Sequence, residues 1–259
     1  MRARRTLLAQ AYILHTLPYR DTSRILEVFT REQGRLSVFA RGVRGPKARL
    51  ASVLQPFQPL LISFTLRGDA GQLVSAESEA ARHPHSNPGS LMGGLPPAAL
   101  LSGFYLNELL LKLTTRHDPN AGLFDGYEQA LATLTAGHAL EPALRHFELR
   151  LLQEVGYGLD LTRTAAGGTV SAQGYYHFRP ADGLFATTAE HSGAVRGSSL
   201  LQLAHGRLKD AQELSDARKV LSAALEHCLE GRPIATRAVA RACVGSALAP
   251  ESAAGTSKG

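Results

Sequence analysis

RILEVFTREQGRLSVFAR, residues 24–41, is the stretch on which the fold turns. Two runs in it, Arg24 to Thr30 and Arg35 to Arg41, alternate with period two around a break that ends at Gly34. In the second run Leu36, Val38 and Ala40 share one face, and Arg35, Phe39 and Arg41 share the other. Successive side chains of a strand point to opposite faces, so this pattern predicts strands with one apolar side. The same period recurs upstream, where Leu7, Ala9, Ala11 and Ile13 alternate with Leu8, Gln10, Tyr12 and Leu14. It recurs downstream in Pro59 to Arg67 and Gln72 to Glu79, split by the turn sequence Gly68-Asp69-Ala70-Gly71. Five short strands in about eighty residues fit a small closed β-barrel of OB type. A five-stranded SH3-like barrel fits the same pattern.

Beyond the barrel the period changes. His83 to Pro97 holds four Pro and three Gly and reads as a linker. Leu101, Tyr105, Leu109 and Leu113 then form a stripe with helical spacing, as do Leu144, Phe147, Leu151 and Val155, with Leu123 to Leu134 between them. A later helix is predicted from Ser215 to Glu230, and a short one from about Thr236. Gly156 to Gly197 interrupts this helical body with a Gly-rich insert. There Tyr175-Tyr176-His177-Phe178 and the turn Pro180-Ala181-Asp182-Gly183 predict a β-hairpin. The fold class is therefore α+β. The expected domain plan is a barrel over 1–80, a linker over 81–97, a helical domain over 98–157 and 198–247, an insert over 158–197, and a disordered tail over 248–259.

Charge is distributed as unevenly as periodicity. Residues 1–50 carry ten Arg and one Lys against three acids, a net of +8, whereas residues 81–259 carry sixteen of each sign. A cationic field confined to one end of an otherwise neutral chain points to an anionic polymer as partner. Phe39 between Arg35 and Arg41 suits single-stranded nucleic acid, the ring stacking on a base while guanidiniums meet phosphates. The following loop, Arg41-Gly42-Val43-Arg44-Gly45-Pro46-Lys47-Ala48-Arg49, adds cations at a barrel rim. A second reading gives the Arg-rich barrel an acidic protein surface as its partner. Arg145, Arg150, Arg207 and Lys209 lie in a charge-balanced region and read as solvated helix faces.

Other chemistries find no pattern to rest on. The insert has the spacing of a zinc ribbon without its ligands. Thr164, Gly167, Ala186 and Ala189 stand where two thiolate pairs would, and none supplies a soft donor. No metal or other cofactor is expected, and Tyr175, Tyr176, Phe178 and Phe185 are expected to hold the knuckle by packing. The phosphate-loop, dinucleotide and G-x-S-x-G motifs are missing from the sequence. Glu108, Glu148 and Glu154 read as single carboxylates on polar helix faces, and Asp21 as a turn or Arg-pairing residue, so no catalytic group is expected. Cys228 and Cys243 sit in helical sequence, which suits a reduced cytoplasmic protein. No membrane span or secretory leader is expected.

The sequence resembles the RecO family of bacterial DNA repair and recombination mediators. The resemblance is carried by Ala11-Tyr12-Ile13-Leu14, Pro18-Tyr19-Arg20-Asp21-Thr22-Ser23-Arg24-Ile25 and Thr30-Arg31-Glu32-Gln33-Gly34-Arg35-Leu36. It continues in Ala40-Arg41-Gly42-Val43-Arg44, Leu54-Gln55-Pro56-Phe57, Tyr105-Leu106-Asn107-Glu108-Leu109-Leu110 and the run from Phe147 to Tyr157. It implies an N-terminal OB-fold, a helical domain and an inserted zinc-finger-like module. It also implies binding to single- and double-stranded DNA, annealing of complementary strands, and help in loading recombinase. RecR and single-stranded DNA-binding protein are the implied partners, at the nucleoid in the cytoplasm. Many relatives carry four cysteines in the insert, and this chain departs from them there. The DNA-contacting residues expected from all of this are Arg20, Arg24, Arg35, Phe39, Arg41, Arg44, Lys47 and Arg49.

Overall fold

A computed structural model describes residues 4–43, 50–79, 94–137 and 139–240. Five strands, β1 (Arg4–Tyr19), β2 (Ser23–Thr30), β3 (Gly34–Ala40), β4 (Leu60–Arg67) and β5 (Ala70–Ser78), close into a barrel in the order β1-β2-β3-β5-β4. The β3–β5 pair is parallel and every other pair is antiparallel. This is the strand order of an OB-type barrel, which the alternation pattern alone left open. β1 closes the ring by pairing with β4 through Arg4 to Ala11 and with β2 through Ala11 to Tyr19. Irregularities at Thr6/Ala9 and Ile13/His15 bend it for that double duty, as bulges do.

The predicted inward faces are inward. Ala9, Ala11, Ile13, Leu26, Val28, Leu36, Val38, Ala40, Leu60, Ile62, Phe64 and Ala76 form one buried cluster inside the barrel. Part of the outer face is buried too, because Tyr12, Leu14 and Phe29 belong to the core of the helical body. That body comprises α1 (Leu100–Leu113), α2 (Ala121–Thr135), α3 (Leu140–Glu154), α4 (Gly197–Ala204) and α5 (Ala211–Cys228). The sequence reading named no helix at α4 and began α5 four residues late. The late start has a physical cause. Asp210 accepts from the Glu213 amide in a reciprocal capping box, which adds a turn ahead of the apolar stripe.

Barrel and body meet in an aromatic seam. Tyr12 lies 5.5 Å from Phe124 and 5.1 Å from Tyr127, and Phe29 lies 5.5 Å from Phe124, ring centre to ring centre. Offset and edge contacts of this kind add to the gain from burial itself. Asn107 locks the seam: it donates to the Leu14 carbonyl (2.9 Å) and accepts from the Tyr127 hydroxyl (2.5 Å). At the β2–β3 turn Gly34 has φ +65°, and a Cβ there would stand 2.1 Å from the Asp118 carbonyl oxygen. Only glycine allows both the left-handed turn and that approach.

The insert is a three-stranded sheet, β6 (Tyr175–Arg179), β7 (Gly183–Thr187) and β8 (Val195–Arg196), in the order β7-β6-β8. The predicted hairpin is β6–β7, and β8 is an addition. The stretch Thr164 to Gly167 folds into a tight turn. The Thr164 amide donates to Gly168 O, and the Thr164 hydroxyl accepts from the Gly168 amide at 3.1 Å. Ala186 pairs with Tyr176 in the ladder, and Ala189 follows in the loop. Packing of the module differs from expectation in two residues, since Phe185 shares the outer face with Tyr175 and lies under the Arg179 guanidinium at 4.7 Å. Tyr176 is buried and its hydroxyl accepts from the Ser171 amide, while Tyr175 is turned to solvent. Among the described residues no group of three or more His, Cys, Asp or Glu could hold a metal ion. Most of the expected linker, Cys243 and the tail lie outside the described residues.

Candidate nucleic-acid interface

The turn between β1 and β2 and the segment that leaves β3 form one rim of the barrel. The Val43 amide donates to the Thr22 carbonyl at 2.9 Å and ties the two together. Cross-strand register then sets what faces outward. Leu17 opposes Ile25, Ile25 opposes Phe39, and Tyr19 opposes Ser23. Residues two apart on β1 share a face, so Leu17 and Tyr19 project beside Ile25 and Phe39. Tyr19 and Phe39 meet at 5.5 Å with their rings 69° apart, and the Arg20 guanidinium lies 5.3 Å from the Tyr19 ring centre. Leu17 is 46% exposed and Tyr19 38%. Arg20 and Arg41 are exposed at the same rim. Tyr19 is not among the residues expected at the interface; its signal in the sequence is its place beside Arg20 at a strand end.

The expected residues separate on this frame. Arg20, Phe39 and Arg41 come together at the rim. Arg24 projects from the other face of β2, into a cleft it shares with His15, Leu54, Pro56 and Phe104. Arg44, Lys47 and Arg49 lie outside the described residues.

Arg35 departs from its expected place. It does share the outer face of β3 with Phe39, but at the end of the strand where the helical body covers it. It donates to the Thr114 carbonyl at 2.8 Å and the Thr114 hydroxyl at 3.2 Å, and pairs with Glu27 at 3.3 Å. Glu27 also holds Arg116 at 2.5 Å and accepts from Ser37. Burial lowers the affinity of the Arg35 guanidinium for its proton and Arg116 adds to this, against the pull of Glu27. A guanidinium so engaged joins barrel to body.

The helical part holds a second cationic site that solvated helix faces did not predict. Arg145 and Glu148 are buried, with Arg145 Nη2 2.8 Å from Glu148 Oε1. The Tyr105 hydroxyl donates to the same oxygen at 2.5 Å, and burial pushes both the Tyr105 hydroxyl and the Glu148 carboxyl up in pKa. Arg145 Nε and Nη1 have no partner among the described residues. Both nitrogens are sealed from solvent, while other parts of Arg145 line a cleft of about 520 Å³ whose walls include Leu101, Leu140, Glu141, Leu144, Arg218 and Arg237. Glu108 likewise leaves the polar face assigned to it. It accepts from the amides of Ala235 and Thr236 at 2.7 and 2.9 Å and caps the helical residues 235–240.

The family profile described as Recombination protein O N terminal matches residues 1–82, and Recombination protein O C terminal matches residues 97–238. The chain belongs to the RecO family. It is 41% identical over 236 residues to the DNA repair protein RecO of Laribacter hongkongensis, covering 89% of this chain and 92% of that protein. The RecO proteins of Methylococcus capsulatus (40%, covering 92% and 94%) and Azoarcus sp. strain BH72 (39%, covering 88% and 93%) are similar over comparable spans. Each of these relatives carries the name DNA repair protein RecO. No helix among the described residues is long and apolar enough to cross a membrane.

Proposed function

We propose that this chain is a non-catalytic mediator of DNA repair and homologous recombination. It binds single- and double-stranded DNA and anneals complementary strands. It also assists the loading of recombinase onto DNA coated by single-stranded DNA-binding protein. The observation that carries this reading is the exposed rim where Arg20, Arg41, Tyr19 and Phe39 converge, continued in sequence by Arg44, Lys47 and Arg49. Guanidiniums on a rim meet the phosphates of either strand, and neutralising two backbones lowers their mutual repulsion so that bases can pair. RecR and the coating protein are the proposed partners, in the cytoplasm at the nucleoid. The cleft beside Arg145 supports a protein partner, since leucine walls flanked by Arg218 and Arg237 suit a segment with apolar side chains and a polar rim.

Reversing Arg41, Arg44 and Lys47 to Glu tests the reading. Affinity for DNA of any sequence is expected to fall, and its dependence on salt to flatten. Unchanged affinity and slope would remove the rim from the account. If the wild-type chain fails to bind labelled oligonucleotides at moderate salt, it is instead a protein adaptor with an Arg-rich barrel.

A further inference from the structure

We infer that Tyr19 is the base-stacking platform of the barrel, with Phe39 as its buttress, and that this ring gives the rim its preference for unpaired over paired strands. The inference rests on the rim as a DNA site and adds what the cations cannot supply. Phosphates are common to single and double strands, so guanidiniums alone discriminate little between them. A π-face is accessible to a base only when that base is not stacked and paired within a duplex.

The geometry assigns the roles in the reverse of the order that sequence suggests. Phe39 lies inside β3, flanked by Ile25 in register on one side and Gln72 on the other. Gln72 also donates to the Phe39 carbonyl at 3.0 Å. Phe39 is thus held by its neighbours and only half open. Tyr19 is the last residue of β1, more than a third exposed, and meets Phe39 with the rings 69° apart. That contact fixes the ring, which keeps more than a third of its surface open with the Arg20 guanidinium over one face. Arg20 follows at φ +51°, which turns the chain sharply. Its guanidinium sits 5.3 Å from the Tyr19 ring centre, so a phosphate of the stacked nucleotide meets a cation at once. Leu17, on the same face two residues earlier, offers an apolar surface for the adjoining sugar or base.

The chain contains no Trp, which makes the test direct. In the variant Tyr19→Trp the new indole is the sole Trp emitter. Fluorescein-labelled oligothymidylate is titrated while anisotropy follows binding and Trp emission follows stacking. Quenching in step with binding is expected, and an abasic strand of equal length should bind more weakly without quenching. In parallel, Tyr19→Leu should lower single-strand affinity about 5- to 150-fold, the range for losing one stacked base, and duplex affinity by less than about twofold. Binding without quenching, or equal losses for single strand and duplex, overturns the platform while leaving the cationic rim standing. Absence of binding to either DNA by the wild-type chain overturns the rim itself.

Discussion

Replacing Arg35 by Met separates stability from DNA contact. Methionine keeps most of the apolar stem, which packs at the strand surface, and removes only the guanidinium. Lost with it are the bonds to the Thr114 carbonyl (2.8 Å) and hydroxyl (3.2 Å) and the pair with Glu27 (3.3 Å). Hydrogen bonds to charged groups contribute about 1.5–3 kcal/mol each and do not add fully. Orphaning a buried charge costs about 3–5 kcal/mol, but Arg116 remains on Glu27 at 2.5 Å, so that limit is not reached. The expected loss is about 2–3 kcal/mol. For a chain of this size that lowers Tm by about 4–12 °C. Urea unfolding of wild type and variant measures the first quantity, and oligonucleotide anisotropy across a salt series measures the second. The slope of log affinity against log salt should stay unchanged in Arg35→Met. Arg41→Met should lose about 0.7 of that slope, the share of one phosphate contact on a single strand. An Arg35→Met protein with wild-type stability and a slope reduced like that of Arg41→Met would refute the reasoning.

Two further outcomes follow from the same contacts. Burial raises the Glu108 pKa, but the Thr236 and Ala235 amides, Lys112 and the Thr236 hydroxyl together outweigh it and hold the carboxyl at about 2, below its ordinary 4.5. Its contribution is therefore fully present above about pH 4.5 and lost as pH falls from there toward 2, and Glu108→Gln should show a shallower decline in urea midpoint across that window. Phe29→Ala, which empties a position 1% exposed at the seam of barrel and body, should destabilise the chain by about 3–5 kcal/mol in the same urea assay; a loss under about 1 kcal/mol would mean that the seam is not packed as described.

The barrel was legible because its signal is local. Leu36, Val38 and Ala40 alternate with Arg35, Ser37 and Phe39, and a pleated strand can bury only one of those sets inside a closed ring. What the outer set meets is not local. Arg35 and Phe39 have the same sequence signature of an outward residue on one strand. One end of β3 lies under the helical body and the other at an open rim, so the first becomes a structural link and the second part of a surface. Arg145 illustrates the same limit in a helix, since neutral regional charge gave no sign that α3 would bury it against Glu148.

By itself, then, the sequence determined the α+β plan, the cationic end and the period of each element, all of which depend on neighbours a few residues apart. Tertiary structure alone decided the parallel β3–β5 closure, the withdrawal of Arg35 from the rim, and the meeting of Tyr19 with Phe39. Each of these joins residues twenty or more positions apart, and only the closing of the ring and its docking on the helices determine which of them touch.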